Sequence, residues 1–179
     1  CSTRIDLVNE GLLGVMSKNG CYEIGYGIES GSQRILDFIK KGFNINHIKK
    51  NIELTKKYNI LVKLYFMMGF PTETKEEILK TINLAKELNP DYVTFGLVTP
   101  IKGTYLYSII NKGIEEDYGY YFTESINEHI STEELERFIS KAYKEFYLDL
   151  GRITKMMLKI RSVDDIRRYY LGIRTILSI

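Results

Sequence analysis

The chain has little of what would mark a secreted, membrane-bound or nucleic-acid-binding protein. Its two cysteines, Cys1 and Cys21, are too few for a disulfide framework. No signal peptide and no apolar run of membrane-spanning length is present, so a cytoplasmic chain with no membrane partner is expected. Charge of one sign is also missing: 25 Lys and Arg stand against 23 Asp and Glu, and a formal charge of +2 excludes the strong field that draws a protein to nucleic acid. The two histidines, His47 and His129, have no partners at metal-ligand spacing, so no metal site is expected within the chain. Proline is scarce, and Pro71, Pro90 and Pro100 all fall at predicted element boundaries, where a missing N–H costs least. No internal repeat or low-complexity segment interrupts the pattern.

What remains, 179 residues with 44 % hydrophobic content, suffices for one sizeable core. Ser2 to Ile5 are β-compatible, and Leu7 or Val8, Leu12, Leu13 and Met16 then recur at helical spacing until Asn19-Gly20. CYEIGYGIES reads as a second strand, after which Ser30 or Ser32 caps a helix carrying Ile35, Leu36 and Ile39 that ends at Gly42. A further helix from Asn46 turns Ile48, Ile52 and Thr55 inward. LVKLYFMMGF is almost continuously apolar, as expected of a parallel strand covered on both faces. Thr74 and Glu77 then form a capping box ahead of the stripe Ile78, Ile82, Ala85 and Leu88, and DYVTFGLVTP is the fourth strand. Strands alternating with helices over residues 1–112 predict right-handed βαβ units and a parallel α/β sheet. Residues 113–179 read as a helical extension. Ser131 with Glu134 starts a helix with the face Leu135, Phe138, Ile139, Ala142 and Phe146, reaching toward Ile160 with a weak point at Gly151, and Ser162 with Asp165 starts another carrying Ile166, Tyr169 and Ile173.

Ligands of parallel α/β sheets sit at the carboxyl ends of the strands. Those ends carry Arg4-Ile5-Asp6, Glu29-Ser30-Gly31-Ser32, Gly69-Phe70-Pro71-Thr72-Glu73-Thr74 and Val98-Thr99-Pro100 with Gly103-Thr104. Glu29 can accept from an amine or from vicinal hydroxyls, the serines donate and accept, and Gly31 lets a ligand approach the backbone. Gly25 and Gly27 leave room for something flat on the strand. Glu29 and the serines equally suit plain helix capping, and the residues by themselves leave that choice open.

GYGIESGSQRIL, then FMMGFPTET, then VTFGLVTPIKGT, in this order at successive strand ends, resemble the radical S-adenosylmethionine (SAM) superfamily, particularly its cobalamin-associated and methylthiotransferase-like branches. The opening CSTRIDLVNEGLLGVMSKNGC resembles the third strand and helix of that family, so the match covers about Cys1 to Tyr107. The resemblance implies a partial barrel containing strands three to six. It implies that Glu29 and Ser30 touch the ribose or methionine part of SAM, that Lys41 pairs with its carboxylate, that Met68, Gly69 and Phe70 lie beside the adenine, and that Val98, Thr99 and Pro100 border it. Lys40 competes with Lys41 for its role, Arg4 resembles an inward-facing polar position without an assigned role, and no catalytic residue is assigned.

The family's activity, reductive cleavage of SAM for radical chemistry, needs a 4Fe–4S cluster held by Cys-x3-Cys-x2-Cys, and this sequence has no such loop. Cys1 and Cys21 fall at the amino ends of their strands and are expected to serve as buried packing. The first two strands, the cluster ligands and any cobalamin-binding domain are therefore expected upstream of a chain that starts at Cys1 without methionine, the use of cobalamin being left open, and the isolated chain is expected to be inactive. The substrate is not legible; Ile114 to Ile130, with Tyr118, Tyr120, Tyr121 and Phe122, are candidates to line or cover the barrel mouth. Two rival readings are a non-redox phosphate-binding barrel enzyme, hinted at by Lys102-Gly103-Thr104, and a non-catalytic interaction module. A half barrel also has unpaired strand edges, which invite a homodimer.

Overall fold

In the computed structural model, which describes residues 1–110, 125–158, 160 and 162–178, four parallel strands pair in chain order: β1 (Ser2–Thr3), β2 (Glu23–Glu29), β3 (Leu61–Met68) and β4 (Tyr92–Leu97). Between and after them come α1 (Glu10–Lys18), α2 (Gln33–Phe38), α3 (Ile45–Lys57), α4 (Lys75–Leu88), α5 (Tyr105–Ile110), α6 (Thr132–Tyr147), α7 (Leu150–Leu158) and α8 (Val163–Ser178). The expected parallel α/β sheet is present. Tyr118, Tyr120, Tyr121 and Phe122, read as candidates for the barrel mouth, lie outside the described residues.

Burial alternates along β3: Val62, Leu64, Phe66 and Met68 are buried, while Leu61, Lys63, Tyr65 and Met67 are half-buried. The expectation that this strand is covered on both faces is thus corrected. Among the described residues helices cover one face, and the other is the open face, where the Lys63 ammonium lies 5.1 Å from the Tyr65 ring centre. On the covered face Ile24, Tyr26 and Ile28 of β2 and Val93 and Phe95 of β4 join the β3 residues over Leu13, Leu36, Ile48, Ile52, Ile78, Ile82 and Ala85. The hydroxyl of buried Tyr26 meets Thr55 Oγ1 at 2.7 Å, which explains why a threonine belongs to the inward face of α3.

Local chemistry sets the element ends. Thr74 and Glu77 form the predicted capping box, and Ser131 Oγ accepts from Glu134 N at 3.3 Å. The first helix starts later than its apolar spacing suggests. Asn9 caps it, Ile5–Leu7 form a 3-10 turn, and Leu7 and Leu12 are exposed. Cys1 is also exposed rather than buried, because its ammonium is drawn to Glu23 O at the sheet's edge, and Cys21 is half-buried. The weak point after α6 lies at Leu148 and Asp149 and not at Gly151: the Asp149 carboxylate accepts from Arg152 N and starts a new helix. In α8, Ile166 is exposed while Tyr169 and Ile173 are half-buried.

The extension closes the β4 edge. Tyr147 Oη accepts from Val93 N at 3.0 Å and donates to Val93 O at 2.9 Å, and Tyr143 Oη does the same with Phe95 N and O, both at 3.1 Å. In a parallel strand the N–H and C=O of alternate residues point outward together, so each tyrosine hydroxyl satisfies the pair that a fifth strand would. The edge expected to be unpaired is therefore occupied at these two residues. Phe146 packs buried beneath, with the Arg152 guanidinium 3.7 Å from its ring centre and donating to Pro90 O. Among the described residues no helix is long and apolar enough to cross a membrane.

Removing either hydroxyl strands two backbone groups at a covered edge, so Tyr143→Phe and Tyr147→Phe are each expected to lower stability by about 1–3 kcal/mol in urea unfolding. The double variant should also self-associate, which light scattering detects. Unchanged stability in the double variant would show that the edge needs no cap.

Candidate functional site

At the carboxyl end of β2 the register slips by one residue between Gly27 and Glu29, and Glu29 adopts a left-handed backbone (φ 72°). An acidic residue rarely takes that conformation without compensation. Here the compensation is an ion pair: Lys41 Nζ lies 2.8 Å from Glu29 Oε1, with each side chain about four-fifths buried at 18 and 20 % exposure. Glu29 Oε2 has no partner among the described residues. The pair lies over Gly27, whose missing Cβ would stand 2.6 Å from Glu29 Oε1 and 3.3 Å from Lys41 Nζ. Gly25 is likewise covered, by the Tyr65 ring, so the space left by these two glycines is filled by the chain's own side chains.

The competition between adjacent lysines is resolved by the turn that holds them. Lys40, itself left-handed (φ 56°), places its ammonium 3.7 Å from the ring centre of Tyr105, at the start of α5. Lys41 is left to face Glu29. Arg4 fixes this turn, since Nη2 donates to Lys41 O at 2.6 Å while the guanidinium makes a fork with both Asp6 oxygens.

Ser30 is fully buried. Its hydroxyl meets Thr81 Oγ1 and accepts from Ser32 N, so its oxygen is engaged by the fold. The expected helix cap is not made by Ser32 either, because its hydroxyl donates to Glu77 Oε1 at 2.7 Å. Gly31 admits a neighbour other than a ligand: a Cβ there would stand 2.6 Å from the backbone of Lys80 and Thr81 in α4. Glu77 also accepts from Arg34 Nε at 2.8 Å and from Thr74 N, and its carboxyl is pulled down to about 2, first by Arg34.

The β3 end is a turn that grips itself. Glu73 is buried, and its Oε2 accepts from Gly69 N at 2.7 Å and Phe70 N at 3.3 Å. Its Oε1 has no hydrogen-bond partner among the described residues, and burial pushes the carboxyl up to about 7. The Met68 side chain points into the core, so at this level the strand offers the candidate site its backbone, and Met67 is the side chain on the open face. Phe70, Val98 and Ile35 form a small apolar cluster beside it, with Val98 N donating to Met68 O, and Pro100 is buried with Thr99 half-exposed. Across β3 from Glu29, none of the described residues lies within 4 Å of a Cβ built on Gly96, which pairs with Met67. The open floor thus runs from an ion pair on β2 to vacant space over β4, two strand spacings or about 10 Å away. That can receive a ligand with a zwitterionic end and a flat end.

Of the residues singled out from sequence, Glu29, Lys41, Gly69, Phe70 and Val98 meet at this edge. His47 and His129 do not, and Cys1 and Cys21 lie at the amino ends of β1 and β2. In the sequence Glu73 carries no role and Glu77 only that of a cap, and two glutamates around a strand-end Pro-Thr turn are the one signal of their part here. The roles of Arg34 and Thr81 had none.

Comparison with known proteins agrees in placing a known fold here. Residues 1–85 match the family model described as the radical SAM superfamily. An uncharacterized methyltransferase of Pyrococcus horikoshii is 36 % identical over 153 residues, 82 % of this chain and 33 % of that protein. An anaerobic magnesium-protoporphyrin IX monomethyl ester cyclase of Rubrivivax gelatinosus is 26 % identical over 169 residues, 92 % of this chain and 30 % of the cyclase. Among solved structures, coproporphyrinogen III oxidase from Escherichia coli, a radical SAM enzyme, superposes with a TM-score of 0.52 at 14 % identity over 55 % of this chain and 23 % of the oxidase. The chain spans about a third of the length of the first two proteins.

The two glutamates give opposite pH dependences. Glu73 holds a proton in the folded chain that the unfolded chain releases, so its contribution is full below the ordinary value near 4.5 and is lost as pH rises through about 7. Glu77 behaves in the reverse sense, contributing above that value and losing its effect as pH falls toward 2. Glu73→Gln should flatten the fall in stability between about pH 5 and 7, a difference on the order of 2–3 kcal/mol, and Glu77→Gln should flatten the acid limb. Thermal unfolding across pH checks both; an unchanged neutral slope in Glu73→Gln would refute the burial argument.

Proposed function

The chain belongs to the radical SAM superfamily through residues 1–85, and on that premise we propose that its open face holds S-adenosylmethionine within a radical SAM enzyme. The Glu29–Lys41 pair carries this reading. Its two charges are complementary to the ammonium and carboxylate of an amino acid, and Glu29 Oε2 is left to accept from the ligand's amine or ribose. When bound, SAM supplies the adenosyl radical that this superfamily generates with an electron from a 4Fe–4S cluster. The chain's own work is to orient: Lys41 takes the carboxylate, Glu29 and the Ser30 backbone take the amine or ribose side, Met68, Gly69 and Phe70 flank the adenine, and Val98, Thr99 and Pro100 border it.

The residues present do not fit the cluster. Two cysteines in 179 residues, both at amino ends of strands, do not make the three thiolates it needs. In this proposal the cluster is held by residues other than these. The same proposal takes residues 1–112 as the partial barrel and residues 113–179 as an extension, whose described part holds α6, α7 and α8. The relatives' names, a methyltransferase and a cyclase, set the two reaction classes against which the whole protein is to be assayed.

Titration with S-adenosylhomocysteine, followed by amide shifts, tests the site without a cluster. Glu29→Gln and Lys41→Met should each weaken binding by about tenfold, the loss of one charge-assisted hydrogen bond, and should also lower the melting temperature, because the pair holds the left-handed Glu29. Equal affinity in both variants would leave the pair as a backbone clamp and sink the proposal. Anaerobic incubation of the chain with iron and sulfide should yield no stoichiometric visible absorption; a full cluster spectrum would overturn the assignment of its ligands elsewhere.

A further inference from the structure

The Gly69–Thr74 turn has a second grip, which comes from the extension. Asn127 Nδ2 donates to Phe70 O at 2.5 Å and to Glu73 O at 2.9 Å, and Glu128 N donates to Pro71 O at 3.0 Å. The Asn127 side chain is itself fixed, because Oδ1 accepts from His129 N at 2.8 Å and Ile130 N at 2.9 Å. Ser125 Oγ accepts from Asn127 N and donates to Ile130 O, which locks the loop that presents the amide. Ile126 packs on the Ile35–Phe70–Val98 cluster, and Leu135 Cδ1 would stand 2.7 Å from a Cβ on Gly69. Glu73 therefore holds the turn's N–H groups from inside, and Asn127 holds its carbonyls from outside.

We propose that Asn127 is a positioning residue for the adenosyl end of the ligand, so that the loop before α6 completes the binding site on the barrel. This rests on the SAM reading above. A turn whose backbone flanks a flat ring must be held to a fraction of an ångström, since contacts to backbone cannot adjust by rotamer. Within the turn Glu73 N donates to Phe70 O at 2.9 Å and Arg34 Nη2 donates to Thr72 O, and the Asn127 amide, with both of its roles engaged, adds a second donor to Phe70 O and holds Glu73 O. The methionine end of the ligand lies on β2 and the Lys41 turn, which Asn127 does not touch, so the two ends of the ligand respond differently to its loss.

Asn127→Asp keeps the oxygen that caps His129 and Ile130 and replaces the donors to the turn with an acceptor that repels Phe70 O and Glu73 O. S-adenosylhomocysteine and methionine are titrated separately into the wild-type chain, this variant, Ser125→Ala and Glu29→Gln, following the Met68, Gly69 and Lys41 amides. Asn127→Asp should weaken S-adenosylhomocysteine by about tenfold and methionine by less than about twofold, while Glu29→Gln weakens both. Ser125→Ala, the milder change, should shift in the same direction by a smaller factor, and it decides the matter if Asn127→Asp does not fold. Unchanged S-adenosylhomocysteine affinity, or equal loss of both ligands, in the Asn127 and Ser125 variants overturns the positioning role; an intact effect of Glu29→Gln beside it leaves the SAM reading standing. A wild-type chain that saturates with neither ligand overturns both.

Discussion

The carboxylate of Glu77 joins the two loops from which the candidate site is built. It accepts from Ser32 and Arg34 on the β2–α2 side and from Thr74 on its own capping box, while Arg34 reaches on to Thr72 O at 2.7 Å. These bonds fasten the junction after Glu29 to the turn after Met68. Because they are charge-assisted and half-shielded from water, they fix the spacing of two loops that no strand pairing would hold. Thr81, one turn further along α4, adds a second fastening through Gly31 N at 2.8 Å. The serines and the glycine of the GIESGS segment are accordingly spent on joining loop to helix, which leaves Glu29 and the backbone to face the open side.

Stress at the site is concentrated where the chain departs from regular structure. Glu29 is left-handed at a slipped register, Glu73 buries a carboxylate with an unpartnered oxygen, and Lys40 takes a left-handed turn so that Lys41 can reach Glu29. Each is stabilised by a neighbour: Lys41, the Gly69 and Phe70 amides, and Tyr105 with Arg4. Local strain held by surrounding structure is a usual feature of ligand sites, and here it falls on the segments that carry the family resemblance.

The extension belongs to the same physical unit as the sheet. Tyr143 and Tyr147 end the sheet by satisfying β4 as a strand would, and Asn127 and Glu128 hold the turn at the other end of β3. One segment thus acts on the edge and on the site, so a disturbance of α6 reaches both.

Much was determined by the sequence itself. Alternation of apolar runs with 3.6-residue stripes specified four strands, their helices and their parallel order, because period and crossover handedness leave few other solutions. The capping box at Thr74 and Glu77 was legible because both of its bonds lie within four residues. The family resemblance also lay in local runs, and it located Glu29, Lys41 and the Gly69–Phe70 turn. Contacts between distant residues were not legible. That Lys41 and not Lys40 faces Glu29 depends on Arg4 and Tyr105; that Ser32 leaves its helix for Glu77 depends on a helix 45 residues away; that β3 keeps one face open depends on which side the helices pack. Asn127 and the two tyrosines carry no sequence pattern at all, since a hydrogen bond between residues some 50 apart leaves no period to read. Tertiary packing alone decided them, because only the folded backbone shows which polar groups are left wanting a partner.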